Sequence, residues 1–478
     1  MNKKKSIVGA GLVWLQLGLF LLIVGGASSV CALMDSDDFL DNKKWTGDYD
    51  AMAERRGIRV LIPYSKTFYF LDGGKERGLA YESVKSFEKF LNASQKTKHL
   101  KIHVVLIPTD RSILLSHLTE GLGDIAIGNL TITEERRKTV DFSDPFLTNV
   151  KEIVVTGKKG PELKNTFDLA GKEIYVRKSS SYYESLVKLN EVLSATGKSP
   201  VKITPADEQL EDEDLLAMLD AGVVPMLIVD NHKAEFWAKI LKNIRLHPDV
   251  AVHTEGKIGW AFRKNSPKLK TVIDAFVKKN KKGTLHGNML FDRYLKNVTY
   301  VTNSTASKDR KRFKQTVKYF KKYGEKYDFD YLMLTALAYQ ESGLNNKAKS
   351  HVGAVGVMQI LPSTAKDKNV NISNIQEVEA NIHAGTKYLR FMTDRYFNDE
   401  GIDKLNRSLL AFASYNAGPA KIAKLRKEAR EKGLNPNIWF NNVEVVAAKR
   451  IGRETVQYVS NIYKYFVVYS LLEKKGKL

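Results

Sequence analysis

Glu341 is the acidic residue whose neighbours best suit it to move a proton. It closes the run Ala338-Tyr-Gln-Glu341, where helical spacing places Leu334, Leu337 and Ala338 on one face and a Ser342-Gly343 exit stops the helix just beyond the carboxyl. A carboxyl at a rigid helix end among apolar neighbours is disfavoured as an anion. Its pKa rises and it stays protonated near neutrality, the state a general acid needs. Downstream, Gly353 and Gly356 bracket a loop in which backbone can approach a ligand closely. Beside that loop Met358 offers an apolar wall and Gln359 an amide that both donates and accepts. His351 and His383 have neither metal-ligand spacing nor an acidic partner nearby, so both are read as structural and no metal site is expected.

The elements that must position these residues divide the chain. From residue 310 onward the apolar spacing is helical, at 310–323, 331–341, 377–396, 405–415, 421–432 and 454–472, which predicts an all-α unit. Ahead of it, strands at 58–62, 102–107 and 124–128 alternate with helices at 81–91 and 112–119. The pattern restarts with strands at 153–155, 174–176 and 226–229 and helices at 183–193 and 214–219. A last strand at 258–262 precedes helical segments at 268–279 and 285–295. This alternation predicts two α/β lobes on largely parallel sheets, the second at about 151–250. Residues 297–309, rich in Asn, Ser and Thr, are read as an interdomain linker.

A chain of 478 residues with 43% hydrophobic content has material for two or three domains of roughly 100–200 residues each. Its net charge of +22 favours an anionic partner, and nucleic acid, anionic lipid and carboxylated wall peptides all qualify. Residues 1–34 narrow the choice. Lys3, Lys4 and Lys5 precede an apolar run from Ile7 to Val24, which marks an export segment, either a cleaved signal peptide or a retained membrane anchor. Export removes the chain from the cytoplasm, so no nucleic-acid partner is expected. Cys31, the single cysteine, permits no internal disulfide. It stands where a lipid-modified cysteine would stand, although Ser28-Ser29-Val30 fits that pattern poorly.

Two stretches carry family resemblances. Leu118-Thr-Glu-Gly-Leu-Gly-Asp124-Ile-Ala-Ile-Gly128-Asn-Leu-Thr131-Ile-Thr133-Glu-Glu-Arg136, followed by Val140-Asp-Phe142-Ser-Asp-Pro145-Phe, resembles the polar-amino-acid class of periplasmic solute-binding proteins over 57–296. The resemblance implies two lobes that close on a ligand, with the chain crossing between them near 147–150 and 252–256. It also implies ligand contacts from Thr131, from Arg136 toward a carboxylate and from Asp230 toward an ammonium group. Asn129 and Pro225 depart from the family's usual residues, so an amino acid or muropeptide ligand and a scaffold without ligand both stay open.

The second resemblance joins Ala338-Tyr-Gln-Glu341-Ser342-Gly-Leu-Asn345, Ser350-His-Val-Gly353-Ala-Val-Gly356-Val-Met358-Gln359, Ala413-Ser-Tyr415-Asn416-Ala-Gly418-Pro and Arg453-Glu-Thr-Val-Gln-Tyr458-Val. In order and spacing these resemble the soluble-lytic-transglycosylase domain, an all-α lysozyme-like fold, over 310–475. The resemblance implies that Glu341 works alone, protonating the oxygen that links N-acetylmuramic acid to N-acetylglucosamine in peptidoglycan glycan strands. The same sugar's 6-hydroxyl then closes to a 1,6-anhydro end, without cofactor. Ser350, Met358, Gln359, Tyr415 and Asn416 are the implied substrate-binding residues, with Tyr415 orienting the carboxyl or the leaving oxygen. Such an enzyme would be exported, periplasmic and membrane-associated, at the outer membrane of a Gram-negative cell. A hydrolytic lysozyme with the same acid, and a non-enzymatic solute receptor, are the competing readings.

Overall fold

The computed structural model describes residues 43–72, 75–93, 101–298, 301, 307–474 and 476. The expected export segment, Cys31 and most of the expected linker lie outside the described residues. The strands are β1 (Gly57–Ile62), β2 (Phe70–Asp72), β3 (Lys75–Arg77), β4 (His103–Pro108), β5 (Ile125–Thr131), β6 (Val140–Phe142), β7 (Leu147–Gly157), β8 (Glu173–Val176), β9 (Lys202–Pro205), β10 (Met226–Asp230) and β11 (Ile244–Arg263). One sheet runs β4-β1-β5-β11-β7-β10-β8-β9, with β6 also on β11, and β2-β3 forms a separate hairpin.

Within each lobe the expected parallel pairing holds, β1 with β4 and β5, and β8 with β9 and β10. Every residue of β1 is buried, as suits a central strand covered on both faces. The expectation of a largely parallel sheet needs correction at β7 and β11, which pair antiparallel with each other and with their other neighbours. These two long strands carry the chain from one lobe to the other and back, so they must run in opposite directions. The pairing Gly256↔Val150 joins the two expected crossings, and His253↔Glu152 lies two residues beyond the first of them.

The C-terminal half is helical, and its opening helix, Ser307–Tyr327, begins earlier than the expected residue 310. The Tyr331–Ser342 helix is buried continuously from Leu332 to Tyr339, so it forms the axis of the bundle rather than an amphipathic face. Val378–Tyr396, Lys404–Ala417 and Arg453–Lys474 complete the bundle. The last of these also seats on the binding-protein-like half. Lys464 Nζ lies 3.3 Å from Asp214, the Tyr463 hydroxyl donates to Asp207 at 3.1 Å, and Arg453 donates to the Tyr69 hydroxyl at 2.7 Å and pairs with Glu76.

Candidate active site

Local chemistry fixes where Glu341 points. Asp330 caps its helix by accepting the Leu332 and Met333 N–H groups, and Gly343, at φ 61°, ends it in the left-handed conformation that glycine adopts without steric cost. Glu341 therefore stands in the last turn, and its Oε1 accepts the hydroxyl of Tyr458 from the Arg453–Lys474 helix. Burial pushes the Glu341 carboxyl up to about 7, and the Tyr458 bond, which favours the anion, offsets only part of that. Tyr458 belongs to a quoted motif but was not among the expected site residues. A tyrosine on a mostly buried helix face reads first as core, and only the fold brings its hydroxyl to Glu341.

This contact gives a prediction. Tyr458→Phe removes a bond that favours the Glu341 anion, so the Glu341 pKa should rise. The high-pH limb of activity should move to higher pH, read from the pH–rate profiles of the two proteins. An unmoved limb would deny Tyr458 any influence on the acid.

The glycine loop is stitched rather than loose. Ser350 Oγ accepts the Ala354 N–H at 3.0 Å, so this hydroxyl oxygen closes the loop while its proton stays available to donate. Gly356, at φ 80°, packs on Asn381, whose Nδ2 would lie 2.3 Å from an added Cβ. Asn381, fully buried, donates to the Val355 and Ile375 carbonyls and accepts the Met358 N–H at 2.8 Å. Sequence reasoning missed this residue, although an Asn on an apolar helix face is a recognisable signal.

Met358 is 0% exposed and sits against Gly385, so it supports the loop from behind instead of presenting an open apolar wall. Its carbonyl accepts the Tyr415 hydroxyl at 2.8 Å, so Tyr415 holds the loop directly. Gln359 uses its Nε2 on the Gly356 and Ala348 carbonyls at 2.9 and 3.2 Å. Asn416 accepts the Thr455 hydroxyl at 2.7 Å, tying the end of the Lys404–Ala417 helix to the helix that carries Tyr458. His383 stacks on Tyr323 with centroids 4.3 Å apart, and its Nε2 lies 2.8 Å from the Tyr327 hydroxyl, a packing role.

In the two-lobed half, Thr131 ends β5, Arg136 lies in the short Glu134–Arg137 helix and Asp230 ends β10. The lobes are shut across this line. Asn129 donates to Asp230 Oδ2 at 2.6 Å and its Oδ1 lies 2.9 Å from His232 Nε2. The Thr131 hydroxyl meets that of Ser181 at 3.1 Å.

Comparison with known proteins agrees with this architecture. Residues 59–296 match the bacterial extracellular solute-binding proteins, family 3, and residues 318–438 match the transglycosylase SLT domain. The membrane-bound lytic murein transglycosylase F of Pseudomonas fluorescens (strain Pf0-1) is 28% identical over 473 residues, 95% of this chain and 90% of that protein. Its namesake in Shewanella halifaxensis is 30% identical over 423 residues, 84% of this chain and 83% of that protein. Among solved structures, an ancestral arginine-binding protein bound to arginine is 25% identical, with a TM-score of 0.41 over 50% of this chain and 98% of that one. With both halves present in one order and the relatives matched over most of their length, the chain belongs to the membrane-bound lytic murein transglycosylase F family.

Proposed function

We propose that this chain cleaves peptidoglycan glycan strands as a lytic transglycosylase, with Glu341 as its acid and then its base. One observation carries the reading: a half-buried carboxyl at a helix end, pushed up to about 7 by desolvation, with a tyrosine hydroxyl to hold its anion. Protonated Glu341 gives its proton to the glycosidic oxygen as that bond breaks, and the sugar's acetamido oxygen supports the anomeric carbon. The carboxylate left behind is stabilised by Tyr458 and takes the proton of the 6-hydroxyl as it attacks, closing the 1,6-anhydro ring and restoring the acid. The stitched Ser350–Gln359 loop supplies a fixed wall for the sugars, held by Asn381 and Tyr415.

The experiment is digestion of isolated peptidoglycan with the purified chain and mass spectrometry of the new ends. Anhydro ends are expected, and ends heavier by one water would make the enzyme a hydrolase. A pH profile gives a second expectation. The acid is competent only while protonated, so kcat/KM should fall above about pH 7, by roughly tenfold per unit. Activity flat to pH 9 would separate Glu341 from the rate-limiting proton transfer.

The first half is proposed to bind a small amino-acid-derived ligand, a free amino acid or a muropeptide, between its lobes. An exported, membrane-associated placement, at the periplasmic face of an outer membrane, is supported by the apolar run in residues 1–34 and by the membrane-bound relatives.

A further inference from the structure

We propose that the cleft between the lobes selects a primary ammonium group whose neighbouring carboxyl is not free, such as the amine of a peptide or amide, over a zwitterionic amino acid. The inference rests on the reading that this half binds a ligand. Its anchor is a pair of carboxylates, Asp230 and Glu152, which stand directly opposite each other on the antiparallel strands β10 and β7. Both are 1% exposed. Like charges facing across a sheet destabilise it unless a cation comes between them.

Neither member of the pair is fully satisfied within the protein. Glu152 has no ion pair among the described residues and is held by the Ser181 and Ser185 hydroxyls, which donate at 2.7 and 2.5 Å. Asp230 accepts Asn129 on Oδ2, while its Oδ1 is buried without a hydrogen-bond partner. A bare buried carboxylate oxygen asks for a donor, and an ammonium group brings three. Burial and the charge of Asp230 push Glu152 up to about 7, and a cation between the two would bring it down again.

The nearby cations are already committed, one of them in part to Asp230 itself. Arg136 donates from Nη1 to the Thr131 carbonyl and from Nη2 to the Ser179 carbonyl, both at 2.9 Å, and its Nε lies 3.5 Å from Glu184. Its fork is closed on its own chain, so the two parallel bonds that would grip a ligand carboxylate are not on offer. Lys233 donates to Asp212 at 2.6 Å and stands 3.6 Å from Asp230 Oδ2. A ligand carboxylate entering here would meet two acids and no open clamp. Beside Asn129, a cavity of about 60 Å³ walled by Phe146, Leu147, Trp260 and Phe291 suits an apolar stem. Lys282 at its mouth is exposed over the Phe291 ring, where water and salt leave it little hold on a carboxylate.

The test is calorimetry of the full chain with leucinamide and leucine, which share an ammonium and a side chain and differ in the carboxyl. Leucinamide should bind at least roughly tenfold more tightly. Glu152→Gln should weaken leucinamide by a similar factor, while Arg136→Lys should leave it within about twofold. Tighter binding of leucine, with loss in Arg136→Lys, would overturn the inference and leave the ligand-binding reading standing. Binding of neither compound would overturn both, and so would heat from calcium or magnesium chloride alone that Glu152→Gln abolishes.

Discussion

Replacing Glu341 by Gln is expected to lower strand cleavage by at least roughly 100-fold, the usual contribution of a positioned general acid, while the protein stays folded. The amide keeps the shape of the carboxyl and can still accept the Tyr458 hydroxyl through its remaining oxygen, but it cannot give a proton and take one back. Folding should not suffer, because burial already disfavours the charge that the substitution removes. Thermal unfolding followed by circular dichroism should show a midpoint equal to or above that of the parent. Release of soluble muropeptides from isolated peptidoglycan, measured by chromatography at pH 6, gives the rate. Cleavage within a few fold of the parent, in a variant shown to be folded, would sink the assignment of Glu341.

How much of this was legible in the sequence depends on the range of the interactions involved. The Glu341 motif could be read because its determinants are local: apolar residues at helical spacing, then Ser-Gly to stop the helix. The strands 174–176 and 226–229 were legible for the same reason, since each is a compact β-branched or apolar run. Strands β2, β3 and β6 were not, because three residues are too few to show alternation, nor was β9, which opens on Lys202 and ends on Pro205. Tyr458 and Thr455 escaped because their roles exist only once distant segments meet; Tyr458 and Glu341 are far apart in the chain. The two candidate ligand charges show the same limit. Arg136 and Asp230 have the right types for a zwitterion, yet only the fold reveals that Arg136 is turned onto carbonyls of its own chain and that Glu152 faces Asp230.

The contact between the two halves lay wholly outside sequence reading and ties the acid to the binding-protein-like half. The Arg453–Lys474 helix presents Tyr458 to Glu341 while Arg453 and Lys464 reach Glu76 and Asp214 of the other half. The same helix therefore carries both the seating contacts and the hydroxyl that meets Glu341.

Asp124→Asn is expected to destabilise the first lobe by about 3–5 kcal/mol, the range for removing one partner from a buried charge cluster. Asp124 immediately precedes β5 and is 0% exposed. Its Oδ2 accepts the Arg59 N–H at 2.8 Å, its Oδ1 lies 3.1 Å from Arg59 Nη2 and 3.3 Å from Arg263 Nη2, and Arg55 pairs with it as well. Arg59, itself 1% exposed, is the charged residue inside the apolar run Ile58–Ile62, and this carboxylate is what lets it stay there. Burial alone would raise the Asp124 pKa, but Arg59 and Arg55 outweigh it and hold the group below the usual range. The sign for pH follows: the contribution is full above the unfolded pKa of about 4 and is lost as pH falls through the lower folded value. Asparagine would leave three guanidinium groups around a neutral amide, two of them with little access to water. The exposed pair Lys404–Asp328, at 64% and 67% exposure, serves as control, since Lys404→Ala should change stability by no more than about 1 kcal/mol. Urea unfolding at pH 7, followed residue by residue through hydrogen exchange of the β1 amides, reports on this lobe, where Trp45 lies under Arg55 and Arg59 with their guanidinium carbons 4.6 and 4.7 Å from its ring centroid. A β1 transition shifted no further by Asp124→Asn than by Lys404→Ala would show that the arginines find other partners and that the cluster is not what holds β1 to β5.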